Sequence, residues 1–351
     1  MNNSDIQFSP EDFVLIGADK VSHVDEVYAS KSYWSDILSR FTKNKGAVAS
    51  LFCIVVIILM AIIGPHLTGH TYDSQIITQQ NLAPRIPGIE KLGIFNGSER
   101  IHTFQGTITQ NKYVSKDSSV VTGLENVYYW FGTDVLGRDI FTRTWTGTRI
   151  SLYIALVAVI VDMCFGMVYG LISGYFGGKV DMILQRFAEV LNGIPTLVIV
   201  TLLIIVIKPG LTTITIAIAI TGWIGMSRIA RAQVLKLKEQ EFILASKTLG
   251  AKDMFVIFKE ILPNIFGQLI VMSMFSIPNA IFTEAFLAFI GLGVPQPLAS
   301  LGSLISDAFK SFTTHPYMII FPVIVLAIIM LSFNMIADGL RDAFDPKMKE
   351  M

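Results

Sequence analysis

Charge is scarce in this chain. Of 351 residues only 15% are charged while 52% are hydrophobic, against about 25% charged in an ordinary soluble domain. That deficit argues against a large soluble core and for lipid. The charges that are present cancel, with Lys plus Arg equal to Asp plus Glu at 27 each, so no net field favours nucleic acid or an acidic substrate. Cysteine is nearly absent: Cys53 and Cys164 stand inside apolar runs, where a thiol behaves as a small hydrophobe and would rarely find a disulfide partner. The five histidines and two cysteines show neither HExxH nor paired CxxC spacing, so no metal site is expected. A GxxxxGK(S/T) phosphate loop is missing, and this chain is not expected to hydrolyse ATP itself. There is no GxSxG elbow and no serine and histidine pair at one depth of an apolar run, which argues against an intramembrane enzyme. No internal repeat is visible. A leader is not expected either, because the first apolar run begins only at Ala47, after a polar stretch with Lys31, Arg40, Lys43 and Lys45. The triplet at Asn96 fits a glycosylation acceptor, a pattern common by chance.

What is abundant is apolar sequence in long runs. They cover Ala47 to Gly64, Ile150 to Ser173, Ile194 to Ile207, Leu211 to Ile224, Ile265 to Ile290 and Tyr317 to Ala337, and each reads as a membrane span. The third is short and needs residues from Phe187 onward. Pro209-Gly210 turns the third into the fourth as a tight hairpin, proline removing a donor and glycine permitting the reversal. Six crossings place both termini on one side. Arg40, Lys43, Lys45, Lys179, Arg186, the seven basic residues between Arg228 and Lys259, and Arg341, Lys347 and Lys349 all fall on that side, which marks it as cytoplasmic. Lys208 and Lys310 are the main basic residues of the short opposite loops.

The expected organisation is then a cytoplasmic segment over 1–46, a first span over 47–64, an extracellular lobe over 65–149, a core over 150–338 and a cytoplasmic tail over 339–351. Ahead of the first span, Trp34, Ile37, Leu38 and Phe41 repeat at helical spacing among Lys31, Arg40 and Lys43. This reads as an interfacial helix on the inner leaflet, or as a short helix packed on neighbouring protein. The lobe holds several glycines and the stretch NLAPRIPG, without helical period, and reads as irregular with short strands at most.

Between the fourth and fifth spans, 227–264 is too charged to cross lipid and too apolar for a linker. Helix, turn, helix is expected. Glu241 to Leu249 is rich in helix formers with Phe242, Ala245 and Leu249 along one stripe, and Gly250 stands where a left-handed cap is needed. A second helix carries Met254, Phe255, Phe258, Ile261 and Leu262, and Pro263 marks its boundary with the next span.

The spacing of Ala245-Ser246, Gly250-Ala251 and Leu262-Pro263-Asn264 resembles the cytoplasmic "EAA" signature of permease subunits in binding-protein-dependent ABC importers. WFGTDVLGRDIFTRTWTGTRISL (Trp130 to Leu152), GYFGGKVD (Gly174 to Asp181), FIGLGVPQP (Phe289 to Pro297) and FNMIADGLRDAFDPK (Phe333 to Lys347) are similar to further signatures of one branch. That branch is the C-type permeases of oligopeptide, dipeptide and nickel importers. The resemblance implies an all-α integral membrane protein with six transmembrane helices, the type I ABC importer permease fold, and a cytoplasmic coupling helix from Phe242 to Gly250. Phe242, Leu244, Ala245, Ser246, Leu249, Gly250, Ala251 and Pro263 would meet the ATPase. Implied partners are a homologous B-type permease, two cytoplasmic ATPase subunits that hold ATP and Mg, an extracellular binding protein and a peptide substrate. No cofactor is expected on this chain. Three positions depart from the pattern: Leu244 stands where the signature has glutamate, Glu260 where it has an apolar residue or histidine, and Leu301 where tryptophan is usual. Docking through shape and apolar contact is expected at Leu244, not a salt bridge.

Other polar features have two readings each. In GTDVLGRD, Thr133 and Asp134 can cap a turn, Gly137 can take a conformation closed to other residues, and Asp139 can start a helix. Alternatively Arg138, Asp139, Arg143 and Arg149 form an outer collar touched by the binding protein. Asp162 and Glu284 lie deep inside spans, where a carboxyl is costly and faces the bundle interior or the translocation pathway. Asn192 to Pro195 and Pro278 read as kinks or as flexing points. Asp338, Arg341, Asp342 and Asp345 read as a solvated, mutually paired cluster that buttresses the coupling loop. Competing functions are a self-sufficient secondary transporter, for which Asp162 and Glu284 speak, and an importer permease for nickel or another small solute.

Overall fold

The computed structural model describes residues 33–103, 106–114 and 123–345. Lys31, Lys347 and Lys349, and the segment before residue 33, lie outside the described residues. Apolar sequence forms helix because lipid offers no partner for a backbone amide. Among the described residues five helices are long and apolar enough to cross a membrane, and a bent pair makes a sixth if it counts as one span. In chain order the elements are α1 (Tyr33–Lys43), α2 (Lys45–Ile63), a hairpin of β1 (Ser98–Thr103) and β2 (Gly106–Asn111), α3 (Ile140–Phe176) and α4 (Gly178–Asn192). They continue with α5 (Thr196–Ile207), α6 (Leu211–Leu237), α7 (Glu241–Thr248), α8 (Asp253–Leu292), α9 (Leu301–Phe309) and α10 (Tyr317–Phe344).

The bundle has two distinct ends. One carries α1, α7 and the end of α10. The other carries the lobe between α2 and α3, together with α9. The lobe is irregular, with 3-10 turns and one antiparallel hairpin. At its base Tyr113 donates to the carbonyl of Ala83 at 2.9 Å and Tyr129 to Gln79 Oε1. Burial pushes the Tyr129 hydroxyl up to about 12, so it stays a donor.

α2 begins at Asn44, whose side chain accepts from the Ala47 amide. It buries Ala47, Ser50, Ile54, Ile57 and Ala61 along one stripe and exposes Phe52, Leu59 and Ile62, the division expected of a helix with lipid on one side. α1 packs Ile37 and Phe41 onto Ala47, Ile54, Ile336 and Ala343, while Tyr33, Trp34 and Leu38 face outward. It therefore rests on the end of α10 and keeps an exposed aromatic edge. The polar cluster expected after the sixth span makes contacts to α1. Asp342 accepts from Asn44 at 3.5 Å, and the Asp345 carbonyl accepts from Arg40 at 3.3 Å, so the tail cluster fastens α1.

Several boundaries differ from the sequence reading. α3 starts at Ile140, ahead of the apolar run at Ile150, because Asp139 caps it by accepting from the amides of Phe141 and Thr142. The third span is not straight: α4 and α5 bend by 77° where Pro195, extended at ψ 132°, lacks the amide to continue the helix. The hairpin after α5 uses Lys208 for its left-handed residue (φ 80°), whereas Gly210 is extended. Pro263 is no boundary. Helix runs through it from Asp253 to Leu292 by way of a π-helical stretch, Val256–Ile261, and the Asn264 side chain donates to the Glu260 carbonyl at 2.6 Å. α9 is a helix that the sequence reading treated as loop.

α3 and α6 approach unusually closely. A Cβ on Gly166, Gly170 or Gly174 would lie 2.6, 2.2 and 2.9 Å from the carbonyls of Trp223, Ser227 and Arg231. These three glycines at four-residue spacing give close backbone packing where hydrophobic burial alone cannot drive association. Arg231 then grips Asp181 at 2.6 and 2.5 Å, and Ser173 donates to Asp181, which locks the turn into α4.

Candidate functional site

α7 stands at the end of the bundle, between α6 and α8. Its helix-forming sequence ends in a Schellman arrangement: the Ala251 amide bonds the Ser246 carbonyl at 3.1 Å and the Gly250 amide bonds the Lys247 carbonyl at 3.0 Å, with Gly250 at φ +84°. Gly250 is thus placed as the sequence predicts. Three contacts hold α7 to the bundle. Ile243 is fully buried among Leu171, Ala230, Val234, Ile257 and Ile261. Ser246 Oγ donates to Glu260 Oε1 at 2.5 Å. Lys247 Nζ lies 4.5 Å from the centre of the Tyr175 ring, whose hydroxyl donates to Asp253 at 2.7 Å.

The other side of α7 is open. Phe242, Leu244 and Ala245 are exposed, Leu249 is 89% exposed, and Met254, Phe255 and Phe258 at the start of α8 are exposed as well. A contiguous apolar surface beside polar, charged residues is the form of a protein-docking site. Two members of the expected contact set are differently placed: Ser246 is spent inward on Glu260, and Ala251 is half-buried against the core. Pro263 is exposed within α8. Ile243 was missed by sequence reasoning. Its signal, an aliphatic residue off the Phe242, Ala245 and Leu249 stripe, is shared with the exposed Leu244, so only the packing singles it out.

A second site lies within the bundle. A cavity of about 480 Å³ is lined by Asp162, Asn192, Thr196, Thr221, Ser276 and Asn279 among others, from α3, α4, α5, α6 and α8. Asp162 is otherwise buried, opens the π-helical turn Asp162–Gly166, and shares the cavity wall with Ser276. Glu284 is elsewhere. It is fully buried and accepts from Ser300 at 2.5 Å and Ser151 at 3.3 Å. Since Ser300 caps α9 and Ser151 accepts from the Leu301 amide, Glu284 fastens α9 to α3 and α8. Of the two carboxyls, only Asp162 lines this cavity.

The expected outer collar is mostly not at the surface. Arg138, Asp139 and Arg143 are buried. Arg138 bonds Asp134 at 2.6 Å and Gln296 at 2.9 Å; Arg143 donates to the carbonyls of Tyr72 at 2.9 Å and Pro297 at 3.3 Å. Arg149 is exposed but donates to the Ala61 carbonyl at 2.9 Å. Cationic side chains at this depth must find acceptors, and here they tie the lobe and the α8–α9 loop to α3. The turn reading holds: Asp134 accepts from the amides of Leu136 and Arg138, and Gly137 has φ +72°. Among the described residues no three His, Cys, Asp or Glu side chains cluster as a metal site.

Residues 166–350 match the family described as "Binding-protein-dependent transport system inner membrane component", and residues 32–84 match the "N-terminal TM domain of oligopeptide transport permease C". The chain is 43% identical over 321 residues to the oligopeptide transport system permease protein OppC of Bacillus subtilis, covering 92% of each. It is 40% identical over 342 residues to the dipeptide transport system permease protein DppC of the same organism, covering 97% of this chain and 94% of that one. Identity to OppC of Escherichia coli is 37% over 317 residues, 90% and 92% of the two chains. A solved inward-facing structure of the MetNI methionine ABC transporter is similar with a TM-score of 0.49 at 16% identity, over 57% of this chain and 96% of that one. The chain therefore belongs to the inner-membrane permease family of binding-protein-dependent ABC importers, and is a multi-pass membrane subunit of that kind.

Proposed function

We propose that this permease carries oligopeptides or dipeptides, the cargo named for its similar relatives. It forms half of the pathway with a homologous B-type permease. Two cytoplasmic ATPase subunits hold ATP and Mg, an extracellular binding protein delivers the peptide, and this chain contributes no catalytic group. The two termini and α7 are cytoplasmic on this reading, as the basic residues beside the spans favour.

The observation that carries the reading is α7. A short helix held through Ile243, Ser246 and Lys247 and capped by a left-handed glycine presents Phe242, Leu244, Ala245 and Leu249 outward. Closure of an ATPase dimer that grips this surface would move α6 and α8, between which it is mounted, and so switch the pathway. Gly250→Val tests the coupling. A Cβ there meets open space, but φ +84° is forbidden to a β-branched residue, so the cap fails while the spans stay intact. The expected result in reconstituted importer is peptide uptake reduced at least about tenfold with ATP hydrolysis retained, a loss worth about 1.4 kcal/mol of coupling. Uptake and hydrolysis both at wild-type levels would exclude α7 as the coupling element.

A further inference from the structure

The cavity at Asp162 has features that exceed a packing gap. Polar side chains enter its lining from three sides, Ser276, Asn279 and Thr283 from one face of α8, Thr221 from α6, and Asn192 and Thr196 flanking the α4–α5 bend, among apolar neighbours such as Ile194, Ile218 and Met272. Asp162 is the one charged side chain in the lining. Among the described residues no cation forms an ion pair with it. The space before it is kept open by two glycines of α6. A Cβ on Gly222 would stand 3.6 Å from Asp162 Oδ1, and one on Gly225 would meet nothing within 4 Å. The π-helical turn that Asp162 opens is a local departure from the α-helical ladder of the kind that gathers at functional positions.

A carboxyl at mid-span is expensive unless something polar or cationic meets it. Glu284 shows the structural solution, two hydroxyl donors in a sealed site. Asp162 has a different setting: it faces an open cavity whose wall mixes Ser276, Asn279 and Thr283 with apolar side chains.

We infer that Asp162 is a transient docking point for an ammonium group on the substrate as it passes through this half of the pathway. The inference rests on the peptide reading above. An ammonium is the chemistry that a lone carboxylate recognises, and a peptide offers it from two sources, the amino terminus and a lysine side chain. The lining holds no second acid, and Phe275 is its one aromatic ring, so the contact amounts to a single ion pair, weak enough for release.

The test uses the complete importer in liposomes with saturating binding protein. Uptake of Ala-Ala-Ala, Ala-Lys-Ala and their N-acetylated forms is compared between wild type and Asp162→Asn. The receptor is the same in both, so each variant-to-wild-type ratio cancels its selectivity. The expected ratio for peptides that carry an ammonium falls about three- to tenfold, as for a partly buried ion pair, while acetyl-Ala-Ala-Ala stays near one. Acetyl-Ala-Lys-Ala reports the lysine source and Ala-Ala-Ala the terminal one, and Asp162→Glu restores both. Equal ratios across the four peptides, whether all unchanged or all lowered, would overturn the assignment. Failure of the wild-type importer to take up any of the four would instead sink the peptide reading itself.

Discussion

At the scale of single residues, the contact that holds α7 in register is the pair Ser246 and Glu260. Glu260 accepts from Ser246 with one oxygen, and its other oxygen is buried with no hydrogen-bond partner in the structure. Removing Ser246 leaves both oxygens unmatched, which costs about 1–3 kcal/mol for a buried polar group. Ser246→Ala is therefore expected to raise amide hydrogen exchange over 241–250 by about tenfold or more. Ser246→Ala combined with Glu260→Leu is expected to return it toward wild type, because replacing both partners with apolar groups is nearly neutral. Wild-type exchange in the single variant would show that Ile243 alone seats the helix. Glu260 was legible only as a departure from the family pattern. Its purpose needed the fold, because Ser246 is fourteen positions away and their meeting depends on the turn at Gly250. The same limit applies to Asp162 and Glu284: sequence places both deep in spans, but only the packing of α9 decides which one is sealed.

At the scale of elements, the glycine stripe of α3 sets how far α6 stands from it. Gly170 is the tightest point, with Ala230 Cβ and the Ser227 carbonyl both inside contact distance of an added Cβ. Gly170→Leu is expected to force the helices apart, at about 1–3 kcal/mol or more for overpacking, and to lower the amount of assembled importer recovered from membranes. Normal recovery and a normal melting temperature would show that α3 and α6 can slide. Hydropathy locates what touches lipid, which is why the runs were legible and their ends were not. Asp139 starts α3 within a polar stretch, and α8 extends to Asp253 although Lys259 and Glu260 interrupt its apolar pattern. α9 was missed because nine residues are too short to read as a span. Its signal was local: Ser300 and Ser303 form a capping box around the start of a helix that buries Leu301, Leu304 and Ala308.

At the scale of the whole molecule, the arrangement is defined by its two ends. α1, α7 and the end of α10 share one end, and the lobe and α9 share the other. This parity holds only if the bent pair α4 and α5 carries the chain across once, although α5 has twelve residues and about 20 are needed to span hydrocarbon unaided. Site-directed labelling tests it in the background Cys53→Ala and Cys164→Ala. Leu249→Cys at the α7 end and Ile94→Cys in the lobe replace exposed side chains. A membrane-impermeant maleimide is expected to reach Ile94→Cys from outside intact cells and Leu249→Cys only in inverted vesicles. Reaction of both from one side would break the parity and remove the bent pair as a crossing. Reaction of Leu249→Cys from outside would reverse the proposed orientation. In inverted vesicles, co-expression of the ATPase subunits is expected to slow labelling of Leu249→Cys by about tenfold, the protection that burial under a docked subunit gives an apolar contact. Undiminished labelling with the ATPases bound would place their contact elsewhere, and α7 would then be a surface hairpin without a coupling role.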